Sequence, residues 1–319
     1  MGDENKVEVS VLIPVFNGRR FLDKCLQSVL DQDFPRDLYE IVAVDNASRD
    51  GSADYIAANY PDVRLIRNER NFGPDAGVAK VLPLLRGRYF AYLSQDIVVQ
   101  RHWLKALYDA MQHEPQARMA ASNIYFTWWP EYKPDDRINL PERAYVCDLT
   151  GYGVLDYYPV PLAEQPEAIQ VLATELAAAL VDLRVVQEMG YLVDEDFFMY
   201  GDVIDMCLRI NSMGFKVLFV PRSVVFNESD WVLKFNRRTL NKALRSARNN
   251  LLAFWKVCYD VEFLALVPRL LIGHLHRGGQ HGLSRWKNML LPIAAIPIAL
   301  WGLWAAILHM PKTAPKRRL

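Results

Sequence analysis

Strand-length apolar runs, alternating with helix-patterned stretches through the first hundred residues, leave this chain few ways to fold. Val9–Val15 (VSVLIPV) is a continuous apolar run closed by Asn17-Gly18, the pattern of a strand buried on both faces. Phe21–Leu30 carries apolar residues at 21, 22, 25, 26, 29 and 30, one face of a helix. Tyr39–Val44 is a second strand that stops at Asp45-Asn46, and Asp50-Gly51-Ser52 turns into a helix over Ala53–Tyr60. Val63–Ile66 is a third strand, Ala76–Leu85 reads as helical, and a fourth strand, Tyr89–Leu93, runs into Ser94-Gln95-Asp96. This order predicts an α/β sheet with right-handed crossovers. Ligands of such sheets bind at the carboxyl ends of the strands. Here those ends carry Asn17, Asp45 and Asp96.

From Tyr125 to about Gln170 the periodicity is lost among aromatics and prolines (Tyr125-Phe126-Thr127-Trp128-Trp129-Pro130, Tyr157-Tyr158-Pro159). An irregular stretch of that length is expected to be a lid or an acceptor-binding loop. Order returns with Leu172–Met189, which reads as a helix, a further helix from Asp202 to Met213, and a strand over Lys216–Val220. No G-x-G-x-x-G follows the first strand, which excludes a dinucleotide oxidoreductase. The four cysteines are scattered with no C-x-x-C pair, which excludes a zinc ribbon. His274, His276 and His281 lie in a basic stretch without a carboxylate cluster and are not expected to hold metal.

Formal net charge is zero, but it is unevenly placed. From Trp231 onward there are 15 Lys+Arg against two acids, and residues 1–230 hold 22 Lys+Arg against 35 Asp+Glu. A basic tail implies an anionic surface. Met289–Met310 has no Asp, Glu, Lys or Arg, and nucleic acid would not require such a segment, whereas a membrane would. Pro292 and Pro297 would kink a span, and basic residues flank both ends, from Arg285 and Lys287 to Lys312, Lys316, Arg317 and Arg318. In-plane, monotopic attachment at the cytoplasmic face of the membrane is therefore expected rather than a single span. The polar, acidic start, Met1-Gly2-Asp3-Glu4, does not read as a secretory signal.

VSVLIPVFNG, IVAVDNASRDGS, NFG, YFAYLSQD and DEDFFMYGDVIDMCLRINSMGFKVLFVP, in that order over about residues 7–255, resemble the inverting family 2 glycosyltransferases. Within that family the similarity is to bacterial enzymes that add rhamnose and related sugars to cell-surface polysaccharides. The resemblance implies a GT-A (Rossmann-like) nucleotide-sugar-binding domain over 1–230 with a mixed, mostly parallel central sheet. A C-terminal helical, membrane-associating region follows over 231–319. By the resemblance Asp45 reads the donor base, with Pro14, Phe16 and Asn17 walling its pocket and Asn71 and Gly73 approaching the ribose or diphosphate. Gln95 adjoins the donor, and Asp96 stands where the family holds a divalent ion, Mg²⁺ or Mn²⁺, a hard cation suited to oxygen ligands and diphosphate. Asn227 replaces a His that often helps there, and Arg248 belongs to an Arg-Asn pair that could meet the diphosphate. For Asp45 and Asp96 the alternative is a turn or cap role, and for Arg248 a basic helix face on lipid headgroups.

One departure touches the chemistry. The family usually reads Glu-Asp-x-Asp at the helix after the FF-x-Y run, with the first Asp as base. Here the frame is Asp202-Val203-Ile204-Asp205, and a valine takes no proton. Asp202 or Asp205 is left to serve as base. The expected activity is transfer of a sugar, with inversion, from a UDP-, dTDP- or GDP-sugar to a hydroxyl of a glycan or lipid-linked acceptor. The alternative is a catalytically degenerate member that binds nucleotide sugar or scaffolds a membrane assembly.

Overall fold

The computed structural model describes residues 7–127, 143–149, 155–194, 197, 200–229 and 237–258, with 267, 300, 301, 303–308 and 310. The first half of the chain lays down, in order, β1 (Val9–Val15), α1 (Arg19–Leu30), β2 (Tyr39–Asp45), α2 (Ser52–Asn59), β3 (Val63–Arg67), α3 (Pro74–Ala79), β4 (Tyr89–Leu93), β5 (Ile97–Val99), α4 (Trp103–His113) and β6 (Ala117–Phe126). The second half adds β7 (Arg143–Leu149), β8 (Leu155–Pro161), β9 (Ile169–Val171), β10 (Ala178–Asp182), α5 (Leu183–Met189), α6 (Asp202–Ser212), β11 (Lys216–Asn227) and α7 (Arg237–Val257). The main sheet runs β3-β2-β1-β4-β10-β6-β11-β5, with β9 also on β11.

Every residue of β1 and β2 is buried, as a strand between two layers of helices must be. Val9, Val11, Ile13 and Val15 point to the face covered by α1 and α4, where Leu22, Leu26, Trp103 and Leu107 pack. Leu12 points to the opposite face, covered by Val78 of α3, Val185 of α5, Ile210 of α6 and Leu251 of α7. β1 lies between β2 and β4, both parallel to it. Successive crossovers thus leave β1 in opposite directions, and the crevice where they part is the usual ligand position.

The structure corrects several expectations. Leu172–Met189 is not one helix: β10 enters the sheet between β4 and β6, antiparallel to both, and only Leu183–Met189 is helical. Its small residues, Ala178 and Ala179, are fully buried, and an apolar run buried on all sides carries no period that separates strand from helix. The sheet is mixed but not mostly parallel, with four parallel and four antiparallel pairings. Ala76–Leu85 is a short helix followed by a 3₁₀ turn at Leu82–Leu84. The stretch from 125 to 170 contains the antiparallel pair β7–β8 and the short β9, while 128–142 and 150–154 lie outside the described residues. β11 continues past Pro221 to Asn227 through a register shift between Val220 and Val224. Most of 289–310 lies outside the described residues, and among the described residues no helix is long and apolar enough to cross a membrane.

Candidate active site

Asp45 is the last residue of β2 and is 3% exposed. Its Oδ2 accepts a hydrogen bond from the Ser48 N–H at 3.1 Å, whereas Oδ1 is buried without a hydrogen-bond partner. A buried carboxylate oxygen left unpaired is costly unless a ligand supplies the donor. Neighbouring residues hold the rim of this crevice. Asn17, in the left-handed region at φ +49°, accepts from the Arg49 N–H at 2.8 Å and donates its own N–H to Ser48 Oγ at 3.0 Å. The Gln95 amide spans the crevice between β1 and β4, accepting from Phe16 N–H at 3.1 Å and donating to Phe16 O at 3.2 Å. The Phe16 ring is left exposed. Pro14 is a buried strand residue opposite Val44. Asn71 Oδ1 accepts from Gly73 N–H at 2.8 Å, and Asn46 Nδ2 donates to Gly73 O at 3.0 Å. Gly73 adopts φ +94° and ψ 161°, a conformation open only to glycine, so this loop is pinned to the end of β2 by Asn46.

Asp96 follows β4, half-buried. Burial pushes its carboxyl up, with Arg20 pulling the other way. The antiparallel pairing of β5 with β11 sets Ile97 opposite Asn227, and Glu228 N–H donates to Asp96 O at 2.8 Å. Asp96 and the Asn227-Glu228 pair, far apart in sequence, therefore meet at this edge of the sheet, with Glu228 rather than Asn227 next to Asp96. Asn227 Oδ1 accepts from Ser229 N–H at 2.9 Å. The Glu228 carboxylate is joined to Lys24 Nζ at 2.8 Å. Among the described residues no group of three His, Cys, Asp or Glu forms a metal cage. A half-buried carboxylate suits a hard cation that takes its remaining ligands from diphosphate and water.

The third part of the rim is the start of α6. Gly201, at φ +82°, turns the chain into the helix, and a Cβ there would lie 2.7 Å from Asn249 Cβ. Asn249 of α7 donates to Tyr200 O at 2.5 Å and Phe197 O at 3.0 Å, fixing that turn. Arg248 Nε donates to Asn249 Oδ1 at 2.8 Å, so Arg248 stands at the same turn. Asp202 is 6% exposed. Burial, then the hydrogen-bonded carboxyl of Asp75, push it well above the usual carboxylate range. Burial pushes the phenol of Tyr92, on β4, up, and the charge of Asp75 nearby pushes it the same way. Val203 packs against the core.

Asp205 does not join Asp202. It is fully buried, bound to Arg209 Nε at 3.0 Å and Lys256 Nζ at 2.6 Å, and Lys256 also reaches Asp194 at 3.2 Å. Both of its oxygens face cations inside the protein, so Asp205 braces α6 against α7. Asp75 and Tyr92 were not apparent from the sequence. Asp75, after Pro74 in a first helical turn, carries only the signal of a helix-start acid.

The family model for glycosyl transferase family 2 matches residues 10–159. A dolichyl N-acetyl-α-D-glucosaminyl phosphate 3-β-D-2,3-diacetamido-2,3-dideoxy-β-D-glucuronosyltransferase from Methanococcus voltae is 33% identical over 246 residues, covering 73% of this chain and 71% of that protein. The chain belongs to glycosyltransferase family 2. Glycosyltransferase AglE from Haloferax volcanii is 31% identical over 100 residues, 30% of this chain, which spans only 33% of that relative's length. In fold, the chain is similar to GalNAc-T7 solved with UDP, GalNAc and Mn²⁺, with a TM-score of 0.63 at 16% identity, covering 98% of this chain and 59% of that one. That likeness establishes the GT-A fold.

Proposed function

We propose that this family 2 member transfers a sugar, with inversion, from a nucleoside-diphosphate donor to a hydroxyl of a lipid-linked or cell-surface glycan acceptor. The observation that carries this reading is the buried, unpartnered Oδ1 of Asp45 at the strand-end crevice. A uracil, thymine or guanine ring offers the ring N–H that this oxygen lacks. Asp96 and Asn227 would hold a Mg²⁺ or Mn²⁺ ion, which when bound neutralises the departing diphosphate. Asp202 takes the acceptor proton as the hydroxyl attacks the anomeric carbon from the face opposite the diphosphate. The expected first test is calorimetric titration with UDP-, dTDP- and GDP-sugars. One of them binds, and Asp45→Ala abolishes that binding while the thermal unfolding transition persists. Unchanged affinity in Asp45→Ala would remove Asp45 from the base pocket.

The metal reading makes a separate prediction. Transfer should stop in excess EDTA and return with Mn²⁺, and Asp96→Asn should lose the Mn²⁺-dependent gain in nucleoside diphosphate affinity. Full activity in chelator would leave Asp96 as a structural residue only.

The acceptor class rests on the C-terminal region. Leu303, Ala306 and Met310 turn toward the core, and Leu300, Trp301, Trp304, Ile307 and Leu308 are all 39–59% exposed. That spacing is one apolar helix face turned outward, with two tryptophans of the type that settles at lipid headgroups. Basic residues follow at Lys312, Lys316, Arg317 and Arg318. This face supports monotopic attachment to the cytoplasmic leaflet, where lipid-linked acceptors are presented. Trp301→Ser/Trp304→Ser should lower sedimentation with phosphatidylglycerol vesicles at least about tenfold, since each buried aromatic contributes roughly 1.5–3 kcal/mol. Equal sedimentation of variant and parent would refute the attachment.

A further inference from the structure

The backbone just before Asp202 is held in a conformation it would not choose alone. Tyr200 and Gly201 stand in succession at φ +68° and +82°, both in the left-handed region. Glycine enters that region freely, but a tyrosine does not, because its Cβ crowds the backbone there. Strain of this kind persists only where the surroundings over-determine it. One buried side chain of α7 supplies that restraint. Asn249 is 0% exposed, and its Nδ2 donates to Phe197 O at 3.0 Å and to Tyr200 O at 2.5 Å. Its Oδ1 accepts from Arg248 Nε at 2.8 Å, which fixes the end of the amide that faces the turn. The α7 backbone closes on the same point, since a Cβ on Gly201 would lie 3.1 Å from the Asn249 carbonyl carbon.

This turn leads straight into the helix start. Gly201 is the N-cap of α6, and Asp202 is its first residue, 6% exposed, with Oδ1 accepting from Val203 N–H at 3.1 Å. The direction of the Asp202 side chain is therefore set by the two left-handed residues before it. The rest of α6 is anchored separately, through Asp205 on Arg209 and Lys256.

Resting on the reading of Asp202 as the acceptor-side carboxyl, we propose that Asn249 is a positioning residue for sugar transfer, whose amide clamps the strained Tyr200-Gly201 turn and so aims Asp202 at the acceptor hydroxyl. Asn249 acts through the turn rather than on the reacting atoms. Proton transfer needs the two heavy atoms within about 3 Å, and a displacement of about 1 Å can cost on the order of 10²-fold in rate. The clamp bears on turnover and leaves the donor alone, because Asp45 is held at the end of β2 by contacts of its own.

The test compares the full-length parent with Asn249→Asp, Asn249→Ala and Asp202→Asn, well below their unfolding transitions. Asn249→Asp keeps the size of the side chain but sets a carboxylate oxygen against two carbonyls. In both Asn249 variants kcat should fall about tenfold or more, while the calorimetric Kd for the UDP-, dTDP- or GDP-sugar that the parent binds stays within about twofold. Adding Tyr200→Gly to Asn249→Ala should restore turnover several-fold, because glycine takes the left-handed conformation unaided. A role of Asn249 in packing α7 alone would gain nothing from that change. If neither Asn249 variant folds, Gly201→Ala crowds the same turn from its other side and should show the same split between kcat and donor Kd. Parent-like kcat in the folded variants, donor affinity lost in step with kcat, or a double variant no faster than Asn249→Ala would overturn the clamp. Parent-like turnover in Asp202→Asn would instead overturn the underlying reading of Asp202.

Discussion

Asp202→Asn is expected to lower turnover by about 10²-fold or more, the usual scale for losing a general base, while donor affinity stays within about twofold of the parent. The amide keeps the shape of the side chain and can still accept from Val203 N–H, so the turn at Gly201 and the packing of α7 beneath it persist. What disappears is the only carboxylate at the start of α6 that faces the rim, since Val203 lies against the core and Asp205 is closed between two cations. Asp205→Asn should behave differently. It should cost stability, and any loss of rate should follow the loss of folded protein. Single-turnover rates with saturating donor, measured alongside urea unfolding, separate the two. Wild-type turnover in Asp202→Asn would place the base elsewhere.

The second large effect is on folding. Lys256→Met should destabilise the protein by about 3–5 kcal/mol, because it leaves a buried carboxylate without its cation. Lys256, Asp194 and Asp205 are all fully buried. Burial by itself would favour the neutral amine, yet the Lys256 ammonium is held above its ordinary range by Asp205 and Tyr191. Without it, Asp205 keeps only Arg209 of its two cations, and Arg209 is already engaged with the carbonyls of Tyr191 and Leu192 at 3.0 and 2.8 Å. Lys105→Met is the comparison. Its partner Asp109 lies one turn away on α4 with both side chains about half exposed, so its removal should leave the unfolding midpoint almost unchanged. Urea midpoints at constant slope report both values. A Lys256→Met loss as small as that of Lys105→Met would mean the network adds nothing to stability.

Local pattern alone located β1, β2, β4 and α1 to within a residue or two, because apolar runs closed by polar residues, and a 3.6-residue stripe, are signals contained in the segment itself. The polar residues at the strand ends were legible for the same reason, since a parallel sheet exposes its carboxyl ends to ligand whatever the rest of the chain does. β10 was not legible. Whether Ala178–Asp182 is strand or helix depends on the slot between β4 and β6, which lies outside the segment. The pair β7–β8 was hidden in the same way by aromatics that imitate a loop.

At the site the division is sharper. Residue type and order determined that Asp45 and Asp96 stand at strand ends, that Val203 cannot take a proton, and that two carboxylates nearby could. Tertiary structure decided between those two. It turned Asp205 inward onto Arg209 and Lys256, brought Asp75 from a distant helix start toward Asp202, and set the end of β11 against Asp96 through the pairing of β5 with β11. A sequence states which groups are available, but a carboxyl's proton affinity and reach depend on burial and on which charges lie within a few ångströms, and only the packed chain sets those distances.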